Sequence, residues 1–285
     1  MSFALVTGSA SGIGRGIAKE LARLDFDLLL VDIDEAGLAE TKKQIDLQYD
    51  THIYTLPLDL SAPDALATLT SWTSIWHDEL QVVVNDAGFG LNGAFEQLEL
   101  NEQLNIIDVN IKAQVALSYA YVPVLKKRTQ AFLLNVGSTT CFQSIPYLNI
   151  YAASKAFVYS FTRALRFELR NTPVSVSLLI PGSTDTNFVH RARMSEATKK
   201  AAKRFNMSPD VVAKIAVRGL FRGKAEIIPG FTNKLHAFFP RFVSRSFTEK
   251  LGAKIYKPEV KKEVDPERAE RSRSIEEIRQ EALVG

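Results

Sequence analysis

The sequence predicts an α/β protein: a single doubly wound domain with a seven-stranded, mainly parallel sheet and helices on both faces. Three observations predict it. Short continuous apolar runs, such as Phe3 to Val6, Val82 to Val84 and Ala131 to Val136, read as strands covered on both sides. Stretches with helical apolar periodicity separate these runs. Turn residues (Gly, Asn, Asp, Pro) recur where each strand ends, the edge of a parallel sheet at which ligands collect.

Length and composition fit that class. A chain of 285 residues can bury a large core as one α/β domain. Hydrophobic residues at 46% and charged residues at 24% exclude disordered and fibrous classes for most of the length. The single cysteine, Cys141, excludes an intramolecular disulfide framework and argues against a cysteine-based zinc site. A reducing, cytoplasmic setting fits, and no segment approaches the roughly 18 apolar residues of a spanning helix. Net charge is +3, but residues 187 to 262 hold 18 Lys and Arg against 5 Asp and Glu. That basic third is either a set of solvated helix faces or a surface for an anionic partner.

The first strand runs straight into Thr7-Gly8-Ser9-Ala10-Ser11-Gly12-Ile13-Gly14, and a helix follows from Arg15 to Leu24. Strand, glycine-rich turn and helix make the Rossmann-type context. Glycines let the backbone approach a pyrophosphate, and the helix start offers free N–H groups and a positive dipole end. The second strand, Asp27 to Val31, ends in Asp32, 18 residues beyond Gly14. An acid there accepts hydrogen bonds from adenosine ribose hydroxyls and repels a 2′-phosphate, so NAD is expected over NADP. Neither Ser11 nor Ile33 brings a compensating cation.

A helix from Glu35 to Gln48 leads to a third strand, Ile53 to Leu58, closed by Asp59-Leu60-Ser61. Ser61 reads as the N-cap of a helix through Trp72 and Trp76, with Pro63 in its first turn. The fourth strand delivers Asn85-Asp86-Ala87-Gly88. One long helix is expected from Asn101 to Lys127; within it Asn110 is either a satisfied buried amide or part of a site. The fifth strand delivers Gly137-Ser138-Thr139-Thr140. The sixth, Val174 to Ile180, delivers Pro181-Gly182-Ser183-Thr184-Asp185-Thr186.

Between them, Asn149 to Phe157 opens a helix that places Tyr151 and Lys155 on one face. A tyrosine near its ordinary pKa of about 10 is a poor acid/base at neutrality unless a cation stabilises its phenolate. Taken alone, a Tyr-x-x-x-Lys pair also suits an ordinary amphipathic helix. Residues 187 to 207 look like a mobile helical flap, and a helix from Pro209 to Arg222 precedes a seventh strand, Ala225 to Ile228. The Rossmann domain is therefore expected over residues 1–230, with a basic aromatic extension over 231–263 and a charged tail over 264–285.

Thr7-Gly8-x-x-x-Gly12-x-Gly14, Asn85-x-Ala87-Gly88, Asn110, Ser138, Tyr151-x-x-x-Lys155 and Pro181-Gly182 occur in order, with 13 residues from Ser138 to Tyr151. Together they resemble the classical short-chain dehydrogenase/reductase superfamily over residues 3 to 230. The resemblance implies that Tyr151 exchanges a proton with the substrate oxygen and that Ser138 holds that oxygen. It implies that Lys155 depresses the tyrosine pKa and grips the nicotinamide ribose, and that Asn110 holds a water in the proton relay. Gly8, Ser11, Gly12, Ile13 and Gly14 would line the pyrophosphate, Asp32 the adenosine ribose, and Asp59 and Leu60 the adenine. Asn85, Ala87 and Gly88 would flank the cofactor ribose, and Pro181, Gly182, Thr184 and Thr186 the nicotinamide end. Asp86 departs from the usual second Asn of that turn, with little catalytic effect expected.

The reading is an oxidoreductase that passes hydride between NAD(H) and a secondary alcohol or ketone, with no metal. A dinucleotide-binding sensor or scaffold without turnover is the rival; it would be expected to have lost the tyrosine or the lysine. Phe89, Leu91, Phe95, Cys141, Phe142, Ile145, Tyr147, Phe188 and Val189 either line an apolar pocket for a lipid-like 3-oxoacyl or steroid-type substrate or belong to the core. Apolar outer faces carrying Val115, Tyr119, Phe157 and Phe161 imply a homodimer or homotetramer. No nucleic-acid recognition motif accompanies the basic charge. The run Lys234 to Arg245, which interleaves rings with cations, either packs Phe238, Phe239 and Phe242 over the pocket or a neighbouring subunit, or meets a membrane surface or acidic acyl carrier.

Overall fold

A computed structural model of the chain describes residues 2–203, 206–239 and 242–258. Seven strands form one sheet in the order β3-β2-β1-β4-β5-β6-β7: β1 Phe3–Thr7, β2 Asp27–Asp32, β3 Ile53–Pro57, β4 Leu80–Asn85, β5 Ala131–Val136, β6 Val174–Leu179 and β7 Glu226–Ile227. Every pairing is parallel. The strand order reverses between β1 and β4, and that switch point opens a crevice at the carboxyl ends of the strands. Thr7 pairs with Asn85 there, so the turns after the two strands stand side by side.

Period-two alternation sorts the strand side chains into two layers. Ala4, Val6, Leu28, Leu30, Val82 and Val84 pack with Ile17 and Leu21 of α1 (Gly12–Ala22), Leu38 of α2 (Glu35–Asp46) and Ala213 and Val217 of α9 (Pro209–Phe221). Phe3, Leu5, Leu29, Val31 and Val83 face the other way. They meet Leu69 of α3 (Ala65–Thr73), Leu117 and Tyr121 of α5 (Gln114–Leu125), and Leu165 of α6 (Asn149–Glu168). Both faces of the sheet are thus covered, as its near-continuous apolar strands require.

Several expectations are corrected. The long helix from Asn101 to Lys127 is two α-helices, α4 (Leu100–Ile107) and α5, joined by a π-helical turn over Asp108–Ala113 that contains Asn110. Ser61 caps no helix: its backbone N–H and hydroxyl both donate to Asp59 Oδ1 (2.9 and 2.7 Å), so a turn occupies Asp59 to Ser61 and α3 starts later, after Asp64. The seventh strand shortens to two residues.

The stretch expected as a flap holds α7 (Phe188–Arg191) and α8 (Glu196–Lys203). It is pinned at Arg193, whose guanidinium donates twice to the Glu102 carboxylate (2.9 and 2.7 Å), and by a bridge between Thr184 and Met207. Beyond β7 come α10 (Phe231–Phe238) and α11 (Arg245–Tyr256). Pro240, Arg241 and the charged tail over 264–285 lie outside the described residues. Among those described, no helix is long and apolar enough to cross a membrane.

Candidate active site

The turn after β1 is shaped by space and by backbone conformation. Gly8 has φ +72°, and a Cβ there would fall 2.7 Å from the backbone nitrogen of Ala87. A Cβ on Gly14 would fall 2.2 Å from the carbonyl oxygen of Gly8, so only glycine closes this turn. Thr7 Oγ1 donates to Val84 O (3.3 Å) and accepts from the backbone of Asp86 (3.2 Å), which ties the β1 and β4 turns together. Helix α1 starts at Gly12 with Ser11 at its cap, and the Ser11 side chain takes none of the free N–H groups. Such a start suits an anion.

Asp32 stands at the next strand end, where its carboxylate accepts from the backbone N–H groups of Ala10 (2.9 Å) and Asp34 (3.1 Å). Asp59 and Leu60 follow β3, the strand paired with β2. Sequence reasoning missed a cation here. Arg15, one turn into α1, sends its guanidinium back to the Ala10 carbonyl and donates from Nε to Thr41 Oγ1 (2.8 Å). Asp32 and Arg15 thus hold the N–H and the carbonyl of one residue, Ala10. Arg15 lies next to the last glycine rather than before the second, so spacing logic passed over it.

The turn after β4 contributes unevenly. Asn85 is fully buried, and its amide donates to Asn135 Oδ1 (2.9 Å), whose own amide donates to Thr162 Oγ1 (2.9 Å). Its side chain links the end of β4 to β5 and α6. Ala87 and Gly88 remain at the crevice. A Cβ on Gly88 would approach Asn110 Oδ1 to 2.9 Å and Lys155 Nζ to 3.3 Å, so the glycine makes room for both.

Asn110 is fully buried in the π-helical turn. Its Oδ1 accepts from Phe89 N (3.0 Å), while Nδ2 donates to Phe89 O (2.9 Å) and to Ser154 Oγ (3.0 Å). The side chain clamps the segment after Gly88 onto α6. π-Helical turns of this kind often mark functional sites.

Ser138 follows β5, buried and with its Oγ accepting from Thr140 N (3.2 Å). Tyr151 and Lys155 rise from the first turns of α6, both buried. Burial pushes the Tyr151 hydroxyl above its ordinary range, and the Ser138 side chain opposes that rise. The Lys155 ammonium donates to Val136 O (2.9 Å) and lies 5.7 Å from the Tyr151 ring centroid. Burial pushes Lys155 itself down to about 8.

The last turn closes the crevice from the β6 side. Pro181 O accepts from Thr139 N (2.9 Å), which fastens it to the Ser138 turn. Gly182 leaves room for Asn233, whose Oδ1 would lie 2.1 Å from an added Cβ, and Thr184 Oγ1 donates to Gly182 O (3.1 Å). Thr186 stands opposite Gly12, with its methyl 3.0 Å from where a Cβ would be. A cleft of about 750 Å³ runs between Ser11, Gly12 and Arg15 on one side and Thr186, Asn187 and His190 on the other. It takes in the start of α1, and Ser138, Tyr151 and Lys155 are not part of its lining.

The apolar residues divide. Ile145, Leu148, Ala152 and Met194 surround Tyr151, with Phe188, Val189 and Tyr256 packed on them. The Phe188 ring centroid lies 4.9 Å from that of Tyr151. Cys141 and Phe142 join a different cluster with Val158 and Leu178, Phe95 is exposed, and Phe89 lies under the Arg191 guanidinium. Tyr147, at φ +65°, offers its carbonyl to Gly93 N and Asn92 Nδ2, so it serves the frame of the pocket. The rings of Phe238, Phe239 and Phe242 are exposed rather than folded over the pocket.

A glycine-lined turn at a helix start, an acid at the second strand end and a buried Ser-Tyr-Lys set on one crevice define a dinucleotide-binding oxidoreductase class. A family model described as short chain dehydrogenase matches residues 2–197, and the chain belongs to that family. It is 29% identical over 251 residues to the uncharacterized oxidoreductase DltE of Bacillus subtilis (strain 168), covering 86% of this chain and 96% of that one. A short-chain dehydrogenase from Sphingobium yanoikuyae in complex with NADPH superposes with a TM-score of 0.74 at 24% identity, over 92% of this chain and 99% of the other. The 3-ketoacyl-(acyl-carrier-protein) reductase from Brucella melitensis complexed with NADH gives 0.70 at 25% identity, over 80% and 96%. Nicotinamide dinucleotides of both kinds therefore occupy relatives of this fold.

Proposed function

We propose that the chain interconverts a secondary alcohol and a ketone with NAD(H), on an apolar substrate of 3-oxoacyl or steroid type. The observation that carries this reading is the convergence of Ser138, Tyr151 and Lys155, all buried, at the end of a crevice whose other end is the glycine turn. A bound nicotinamide supplies the hydride acceptor or donor. The protein's part is proton transfer and orientation. Tyr151 exchanges a proton with the substrate oxygen, and Ser138 holds that oxygen against the hydroxyl. Lys155, anchored on Val136 O, presents a cation beside the phenol and to the ribose. Asn110 fixes Phe89 and Ser154 around this set and serves the relay from that position.

The two sides of the adenosine corner pull in opposite directions. Asp32 favours the unphosphorylated ribose, whereas Arg15 brings a cation close to the same corner; we place the preference with NAD because both Asp32 oxygens are fixed by backbone N–H groups. The apolar cluster around Tyr151 supports a lipid-like ketone, the class named for the Brucella relative. The extension walls that side: Gly252 of α11 lies against Ile145 and Pro146, and Tyr256 O accepts from Asn92 Nδ2 (2.7 Å). The outward face of α11 leaves Phe247, Leu251 and Ile255 exposed beside Arg245, Lys250 and Lys254. This composition supports contact with an anionic lipid surface, to be checked by sedimentation with anionic and neutral vesicles. The retained catalytic set argues against a sensor without turnover. A scan of ketones and alcohols with NAD(H) and NADP(H), followed by the absorbance of the reduced nicotinamide, tests the function directly; dinucleotide binding without turnover of any of them would refute it.

A further inference from the structure

Asp86 turns its carboxylate toward the glycine turn, not toward solvent. A Cβ built on Gly14 would lie 2.7 Å from Asp86 Oδ2. Thr7 Oγ1 holds the Asp86 backbone in place at 3.2 Å. The start of α1, the natural seat of an anionic ligand, therefore already has an acid pressed against it from the sheet side. An ionised carboxylate there uses up part of the helix's positive end and repels a second anion.

Charged and titratable groups reach Asp86 from two elements. Lys155 on α6 favours the carboxylate form, Asp32 at the end of β2 opposes it, and Asp86 in turn opposes ionisation of Tyr151. The residue as a whole is half-buried on the crevice wall, but its carboxylate is crowded by the β1–α1 turn. Burial, ahead of these charges, pushes it up to about 7.

We infer that Asp86 is a positioning residue that makes dinucleotide binding proton-linked: the pyrophosphate is accepted with Asp86 protonated, and ionised Asp86 repels it. The inference rests on the crevice being a dinucleotide site. Its sign follows from linkage. A ligand that prefers the protonated form takes up protons on binding and weakens as pH rises past the free carboxyl's titration, by at most about tenfold per pH unit for one group. Lys155 acts with the same sign at higher pH, because an anion also favours its protonated form.

The experiment measures NADH binding by fluorescence from about pH 6 to about pH 8.5, and proton uptake by calorimetry near pH 7.5 in two buffers of different ionisation enthalpy. The unmodified protein should weaken about tenfold across that range and take up a fraction of a proton. Asp86→Asn should bind more tightly above about pH 7 and lose most of the uptake. Lys155→Met should bind more weakly throughout yet keep a pH dependence, displaced upward because the carboxyl has lost its cation. An unchanged Kd across the range, uptake retained in Asp86→Asn, or a pH dependence abolished by Lys155→Met alone would each overturn the inference while leaving the function intact. No NADH binding at any pH would remove both.

Discussion

Lys155 donates its ammonium to the carbonyl of Val136, the last residue of β5, at 2.9 Å. A helix residue is thereby fixed to the sheet edge, and the cation beside Tyr151 has one position. Tyr151→Phe is expected to lower kcat by about 10²- to 10⁴-fold with NADH affinity nearly intact. Lys155→Met should damage both kcat and affinity. Lys155→Arg should recover little, since a planar guanidinium does not fit a site that is 3% exposed and offers one carbonyl. Stopped-flow turnover and NADH titration of the three variants check this, and near-normal turnover in Tyr151→Phe would disprove the mechanism.

The Ser138 side chain opposes the upward push that burial exerts on the Tyr151 pKa. Alcohol oxidation needs Tyr151 to accept a proton, so the rate should climb with pH. Ser138→Ala removes the lowering influence and should displace the rising limb of the kcat–pH profile to higher pH, besides reducing kcat. An unmoved limb would separate Ser138 from the tyrosine.

Asn110 satisfies both backbone groups of Phe89 and the Ser154 hydroxyl. Asn110→Ala strands buried partners at about 1–3 kcal/mol, lowering Tm by about 3–10 °C. Asn110→Asp, which loses the two donations, should fall almost as far. Calorimetric scans decide it; a Tm equal to the parent's would mean that the clamp contributes nothing.

At the adenosine corner, Asp32→Ala should cut the kcat/KM ratio of NADH to NADPH by about tenfold, equivalent to about 1.4 kcal/mol. Arg15→Ala should move the ratio the other way, because the cation near the ribose is gone. Steady-state kinetics with both cofactors test the pair, and a parent enzyme that favours NADPH would reverse the assignment of Asp32.

Tyr119 on α5 is 82% exposed and Phe157 on α6 is 42% exposed, with Phe157 stacked on Phe161 at 6.0 Å. Rings left this open support self-association through these two helices. Light scattering should give a dimer or tetramer, and Tyr119→Asp with Phe157→Asp should give a monomer. A monomeric parent would rule the interface out.

The sequence by itself determined the sheet, its seven strands and the glycine turn, because these depend on local periodicity and on residue types at fixed spacing; the grouping of Ser138 with Tyr151 and Lys155 came from the family resemblance. Gly8, Gly12 and Gly14 declare a tight turn wherever they occur after a strand, and Tyr151 and Lys155 share a face in any helix. Tertiary structure alone decided which polar groups those elements bring together. The Asn85 side chain pairs with Asn135, 50 positions away across β4 and β5. The π-helical turn at Asn110 has no mark in the periodicity; it accompanies an amide spent on Phe89 and Ser154, residues that only the packing of α4 and α5 on α6 brings within reach. Arg15 and Asp86 were invisible as site residues for the same reason. Arg15 meets Ala10 and Thr41, and Asp86 meets Gly14 across the switch point; such contacts leave no trace in spacing.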